Sequence, residues 1–454
     1  MQYVSTRGGG KPLSFSEAVM EGLAPDGGLY VPESFPNIAD KLDAWRALSY
    51  PELCFEFMRL FADDIPESDL RSIAHDSYLR FDDGAIAPLK KLDDGLYILE
   101  LFHGPTLAFK DFALQFLGNL DQYLLERSGK VLNVLGATSG DTGSAAINGF
   151  LGKKGVKIFI LYPDGRISPL QERQMACTGA DNVFPIAIDG SFDDAQAIVK
   201  EIFGDVAFKA QWSLGAVNSI NLSRILAQCV YYIYAWLQLD ASENSDVQFI
   251  VPTGNFGNIL AGWFASKMGL KVSNFRVATN QNDILYRLFT TGVYEVAGVR
   301  PSVAPSMDIQ VSSNFERFLY FYVGKDAARV REIMAEFKRS GRWVFENFSP
   351  ADFSASRMDD AQIAAKISEI YKKYGEIVDP HTACGFADTS HKGAKIILST
   401  ASPAKFPELV ERIIGVHPTA DSLEALLDKP VARRTMPADT EKIREYLTLH
   451  GIKQ

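Results

Sequence analysis

From Leu96 onward the chain repeats one scheme. A short, almost continuously apolar run gives way to a loop of glycine and hydroxyl residues, then to a stretch with helical spacing. KVLNVLGATSGDTGSAAINGFL, VKIFILYPDGRISPLQERQMACTG, NVFPIAIDGSFDDAQAIVKEIF and VQFIVPTGNFGNILAGWFASKMG all follow it. Strands apolar along their whole length are buried on both faces, and helical connections make them parallel. The rhythm predicts an α/β fold of two parallel-sheet domains with helices on both faces. We divide it into a smaller domain at 96–215 and a larger one at 216–454, with a charged helical insertion at about 325–375. Residues 1–95 lack the rhythm and read as a mostly helical N-terminal region. There, Ser14 and Glu17 have capping-box spacing, APDGGLYVPE signals a turn before a short extended run, and ESDLRSIAHDSYLRF is amphipathic.

Several function classes drop out early. A net charge of −10 without basic clusters argues against nucleic-acid binding. The most apolar stretch, Ile225 to Leu239, is broken by Gln228 and Gln238 and is short for a bilayer, so it reads as a buried helix and not as a membrane anchor. The N-terminus has no apolar core of signal-peptide length, which leads us to expect a cytoplasmic protein. Cys54, Cys177, Cys229 and Cys384 form no CxxC pair, and the six histidines form no HExxH pattern, so neither a disulfide framework nor a metal site is expected.

Three loops and one lysine have chemical potential. In VPTGNFGN, Gly254 and Gly257 sit between a strand and a helix, where loop N–H groups and a helix N-terminus converge. Such a turn can cradle a phosphate, or it can be a turn with no ligand; there is no GxGxxG or Walker pattern. In GATSGDTGSAA, the hydroxyls of Thr138, Ser139 and Thr142 can hold a carboxylate, although capping of the following helix is the simpler reading. Ser399, Thr400 and Ser402 end another strand and by themselves read as a turn. Lys110 follows the apolar run and turn of LFHGPTLAF. An isolated lysine is ordinarily exposed. A desolvated one offers a free amine as nucleophile or base. An amine nucleophile together with a phosphate-binding loop is economically explained by pyridoxal 5′-phosphate.

STRGG, SFSEAVMEGLAPDGGLYVPE, HGPTLAFKDFALQFLG, GATSGDTGSAA, VPTGNFGN and LSTASPAKF occur in this order over most of the chain. In this the chain resembles the threonine synthase family, in its longer microbial and fungal type, among pyridoxal-phosphate enzymes of fold type II that are tryptophan synthase β-like. The resemblance implies that Lys110 carries the cofactor as an imine. It implies that Gly254, Asn255, Phe256, Gly257 and Asn258 grip the cofactor phosphate, and that Thr400 is a neutral partner of the ring nitrogen. Thr138, Ser139, Gly140, Asp141 and Thr142 would receive the substrate carboxylate. Asp141 stands where relatives carry asparagine, and a carboxylate there would repel the cofactor's phenolate oxygen. Arg224, in NSINLSR (218–224), is expected near the substrate. Arg7, Lys11, Arg166 and Arg173 are candidate donors to the substrate phosphate, and His103 is a further candidate with either a catalytic or a turn-forming role. The implied reaction converts O-phospho-L-homoserine and water to L-threonine and phosphate, with no metal, in a monomer or homodimer. Two alternatives remain: a threonine-synthase-like phospho-lyase that releases 2-oxobutyrate, and a non-catalytic binding protein on the same fold.

Overall fold

A computed structural model describes residues 1–138, 140–216 and 219–453. They form two compact units. The larger comprises residues 1–75, 81–103 and 219–418; the smaller comprises 76–80, 104–218 and 419–454. Both units are discontinuous in sequence, where the sequence reading placed contiguous segments. Leu96–Glu100 belongs to the larger unit, and the last residues of the chain return to the smaller one.

The larger unit is built on a six-stranded sheet in the order Phe353–Arg357, Asn274–Thr279, Val247–Pro252, Ala394–Ser399, Leu96–Glu100, Leu89–Asp93. All neighbours are parallel except the last pair, an antiparallel hairpin at one edge. Val247–Pro252 and Ala394–Ser399 are buried along their entire length, which is why they are apolar without alternation. On the sheet lies the helix Leu222–Gln238, buried without a break from Leu222 to Ile233, so the most apolar stretch of the chain is an interior helix. No helix among the described residues is long and apolar enough to cross a membrane.

The N-terminal segment joins this unit through Tyr3–Ser5, which pairs antiparallel with Tyr30–Pro32. The capping box of Ser14 and Glu17 opens the helix Phe15–Glu21 as its spacing requires. The segment expected as a helical insertion contains the helices Ala327–Ser340 and Asp360–Tyr374, but between them Phe353–Arg357 enters the sheet as an edge strand.

The smaller unit holds a five-stranded, wholly parallel sheet in the order Arg434–Pro437, Val183–Asp189, Val156–Pro163, Leu132–Ala137, Leu214–Ala216. One of its cores gathers Leu135, Phe159, Leu161, Ile186, Ile188, Ile198 and Ile202 with Ile443 and Leu447 of the C-terminal helix. The helices Lys110–Ser128 and Asp141–Phe150 touch backbone to backbone. A Cβ on Gly118 would lie 2.0 Å from the carbonyl oxygen of Gly149, and one on Gly149 would lie 2.5 Å from that of Leu114. Only glycine permits this approach.

Candidate active site

Lys110 is the first residue of its helix. The turn before it is fixed by Asp111, a fully buried carboxylate that accepts hydrogen bonds from the Thr106 N–H (2.7 Å) and hydroxyl (2.6 Å). Leu107 takes a left-handed φ of 60°, a strained conformation for a branched residue. The lysine the sequence singled out is thus presented by a rigid turn, with its side chain 13% exposed. Its Nζ lies 3.7 Å from Asp141 Oδ2, and Asp141 is itself buried at the head of the neighbouring helix. The other oxygen, Oδ1, accepts from Gln171 Nε2 at 3.0 Å.

Thr138 turns inward, and its hydroxyl oxygen accepts from the N–H groups of Gly140 (3.0 Å) and Gly143 (2.9 Å). The capping alternative therefore describes Thr138. Gly140, with a φ of 147°, is the N-cap of the helix Asp141–Phe150 and has no side chain to cap it, so the cap comes from Thr138 two residues earlier. Thr142 is half-buried on that first turn, and Ser139 lies outside the described residues. The smaller unit thus brings together Lys110, Thr138, Gly140, Asp141 and Thr142.

In the larger unit, the strand Val247–Pro252 ends in the loop 253–256 and the helix Gly257–Lys267. Two of the loop carbonyls are bonded to the 312–314 segment. Gly254 O accepts from Ser312 Oγ (2.6 Å) and Asn255 O from Asn314 N–H (3.0 Å). Phe256 has a φ of 63° and provides no side-chain cap; its buried ring packs among Phe289, Phe315, Phe318 and Phe353 and anchors the turn. Gly254 is crowded, since a Cβ there would meet Ile309 Cδ1 at 2.9 Å. Asn258 Oδ1 accepts from both Tyr231 (2.6 Å) and Tyr232 (2.7 Å), while its buried Nδ2 has no partner among the described residues.

The Ala394–Ser399 strand runs parallel to and beside Val247–Pro252, so the buried Thr400 emerges at the same sheet edge as the glycine loop. Its N–H donates to Thr382 Oγ1 at 3.3 Å. Arg224 lies in the first turn of the interior helix and is 4% exposed. Its Nε and Nη1 have no partner among the described residues, and burial pushes the guanidinium down to about 10, still cationic at neutral pH. The larger unit thus gathers Gly254 to Asn258, Thr400 and Arg224. A glycine turn, an uncapped helix start and a buried guanidinium with unsatisfied donors fit a phosphorylated ligand. No cluster of side chains suited to a metal ion occurs among the described residues.

Two other candidate phosphate donors are engaged elsewhere. Arg7 pairs with Glu316 at 2.7 Å, and Arg173 Nη1 donates to the carbonyls of Leu426 and Lys429. His103 sits between Glu100 and Asp82, each 2.8 Å from one ring nitrogen, an arrangement that only an imidazolium satisfies on both sides.

Sequence reasoning passed over two clusters at this sheet edge. Asp379, fully buried, accepts from His381 Nδ1 (2.6 Å) and from the Thr382 hydroxyl, and His381 Nε2 accepts from the Ser306 N–H (3.1 Å). Asp308 accepts from Asn280 and Asn282 and from Ser302. For the second cluster the signal was available: TNQN follows FRVA, at a strand end where open α/β sheets build sites, whereas DPHT shows only the aspartate cap and proline start of the helix Pro380–Gly385.

Known proteins agree with this architecture. Residues 2–78 match the profile of the threonine synthase N terminus, 85–396 that of the pyridoxal-phosphate dependent enzymes, and 382–447 that of the threonine synthase C-terminal region. The chain is 44% identical to threonine synthase of Pseudomonas aeruginosa, covering 99% of each protein. It superimposes on the pyridoxal-phosphate-bound threonine synthase of Brucella melitensis with a TM-score of 0.96, at 43% identity and 99% coverage of both chains. Threonine synthase-like 2 of Mus musculus is 37% identical over 100% of this chain and 98% of its own. The protein is therefore a pyridoxal-phosphate-dependent enzyme of fold type II, and its cofactor is pyridoxal phosphate. Within that class it belongs to the threonine synthase family.

Proposed function

We propose that the protein converts O-phospho-L-homoserine and water to L-threonine and phosphate. The observation that carries this reading is Lys110, presented by a rigid turn at the head of its helix with Asp141 3.7 Å away. When bound, pyridoxal phosphate supplies the electron sink for charge developing at the substrate Cα. Lys110 would hold the cofactor through its aldehyde carbon; as a free amine it would take the Cα proton, hand that proton back to the bound substrate's conjugated system, and, neutral again, take a Cβ proton. Asp141 steadies the ammonium between these transfers. The helix start at Gly140 to Thr142 receives the substrate α-carboxylate, Gly254 to Asn258 hold the cofactor phosphate, and Thr400 offers a neutral hydroxyl to the ring nitrogen. Arg224 binds the substrate's phosphate, whose departure from Cγ it favours by neutralising charge. Water then adds at Cβ.

We further place the protein in the cytoplasm as a monomer or homodimer that acts on a small molecule and on neither nucleic acid nor membrane, in keeping with its acidic charge. A second reading stops at elimination and releases 2-oxobutyrate. It is favoured by Asp141, a carboxylate beside the proton-carrying amine. Threonine and 2-oxobutyrate measured in one reaction with O-phospho-L-homoserine separate the two, and dominance of 2-oxobutyrate refutes the synthase. Lys110→Ala is expected to abolish both turnover and the visible absorption of the bound cofactor. Retained activity in that variant overturns the assignment of Lys110.

A further inference from the structure

Two signatures that mark the chain as a threonine synthase, STRGG at 5–9 and GGLYVP at 27–32, have no part in the reaction above. Both end on one four-residue segment, Asn314 to Arg317. Asn314 N–H donates to Asn255 O in the glycine loop (3.0 Å), and its Nδ2 donates to Ser219 O (3.1 Å). A Cβ on Gly257 would lie 3.1 Å from that Nδ2 and 3.4 Å from Ile225 Cδ1, so glycine lets the loop, Asn314 and the helix bearing Arg224 converge. The ring of Phe315 meets that of Phe256 edge-on at 5.9 Å. Glu316 accepts from Thr6 Oγ1 (2.6 Å) and from Arg7 Nε (3.0 Å) and Nη2 (2.7 Å). Arg317, fully buried, donates to Tyr30 O (2.9 Å), Asn314 Oδ1 (2.7 Å) and Ile220 O (2.5 Å).

Those three acceptors are neutral. Burying a guanidinium for neutral acceptors is a poor way to gain stability. What its planar fork provides is three bonds at fixed angles from one rigid group. The bonds tie the N-terminal strand, the 219–220 segment and Asn314 together, and Asn314 in turn holds the glycine loop.

We propose that Arg317 is a positioning residue for the cofactor phosphate loop, and that STRGG and GGLYVP are the outer anchorage of that loop. The proposal rests on reading Gly254 to Asn258 as the phosphate loop. The test compares two ligands of full-length apoenzyme, pyridoxal phosphate and pyridoxal, by absorbance titration. Both react with Lys110, but only one carries the phosphate. Wild-type enzyme should bind pyridoxal phosphate far more tightly; equal affinities refute the loop reading itself, and the proposal with it. Arg317→Lys keeps the charge and loses the fork. It is expected to weaken pyridoxal phosphate by about tenfold or more, the worth of one or two hydrogen bonds, and to leave pyridoxal unchanged. A folded variant with the wild-type ratio, or one in which both ligands weaken equally, overturns the proposal. Should Arg317→Lys fail to fold, Asn314→Ala, which keeps the N–H to Asn255 and loses both side-chain bonds, decides by the same ratio.

Discussion

Replacing Arg224 with methionine should make the protein more stable and less able to bind its substrate. The guanidinium is 4% exposed, with Nε and Nη1 unpartnered among the described residues. Burial lowers it from 12.5 to about 10, which corresponds to about 3 kcal/mol of destabilisation. A base whose folded value lies below its unfolded one destabilises the fold at every pH where it stays protonated; this penalty is present in full at neutral pH and fades only as pH climbs past about 10. Two buried nitrogens without acceptors, at ~1–3 kcal/mol each, give the same order independently. For a unit of roughly 300 residues, 3 kcal/mol raises Tm by up to about 5 °C. On the proposed role of Arg224, the same change removes charge-assisted bonds to the substrate phosphate, worth ~1.5–3 kcal/mol each, and should raise KM by about tenfold or more. Thermal unfolding of the holoenzyme with and without inorganic phosphate reads both effects. Wild type should gain stability from the anion, while Arg224→Met starts higher and does not respond. A variant that melts lower than wild type, or that still responds to phosphate, refutes the reasoning.

Burial alone would push the His103 imidazole down, but hydrogen bonds to Glu100 and Asp82 outweigh it and hold the ring above its ordinary value. A raised folded value contributes stability that is fully present below about pH 6.5 and is lost as pH rises through that value. His103→Gln should therefore cost about 1 kcal/mol at pH 6 and nearly nothing at pH 9, read from Tm at both; a pH-independent difference removes the imidazolium from the account. Asp141→Asn keeps the shape but removes the charge 3.7 Å from Lys110. It should slow turnover by about tenfold or more and lower the share of 2-oxobutyrate, and an unchanged rate and product ratio would exclude Asp141 from proton handling.

What could be read in advance depended on how local the determining physics was. The capping box of Ser14 and Glu17 and the fully apolar strand Val247–Pro252 each follow from a few adjacent residues, and both form as their patterns require. The glycine turns are equally local, because positive φ and close backbone approach leave few substitutes for glycine. Phe353–Arg357 was missed because FSASR carries no apolar run; as an edge strand it needs only one covered side. His381 and Asp379 looked unremarkable because their meaning lies in partners such as Ser306, 75 positions away. Thr138 looked like a ligand donor but caps its own turn, a choice between two local options that spacing cannot make. The discontinuity of the units was hidden for the same reason: each segment repeats the α/β rhythm whichever sheet it joins.

That discontinuity bears on how the chain is made. Residues 104–218 emerge from the ribosome long before 419–454, yet Arg434–Pro437 is the strand that covers the outer side of Val183–Asp189, and Ile443 and Leu447 complete the core beneath it. Until the last few dozen residues arrive, the unit that carries Lys110 has a bare parallel edge and an open apolar face. Nascent chains and chains ending before 434 are therefore the aggregation-prone species, and the lysine-bearing unit is among the last parts of the protein to mature.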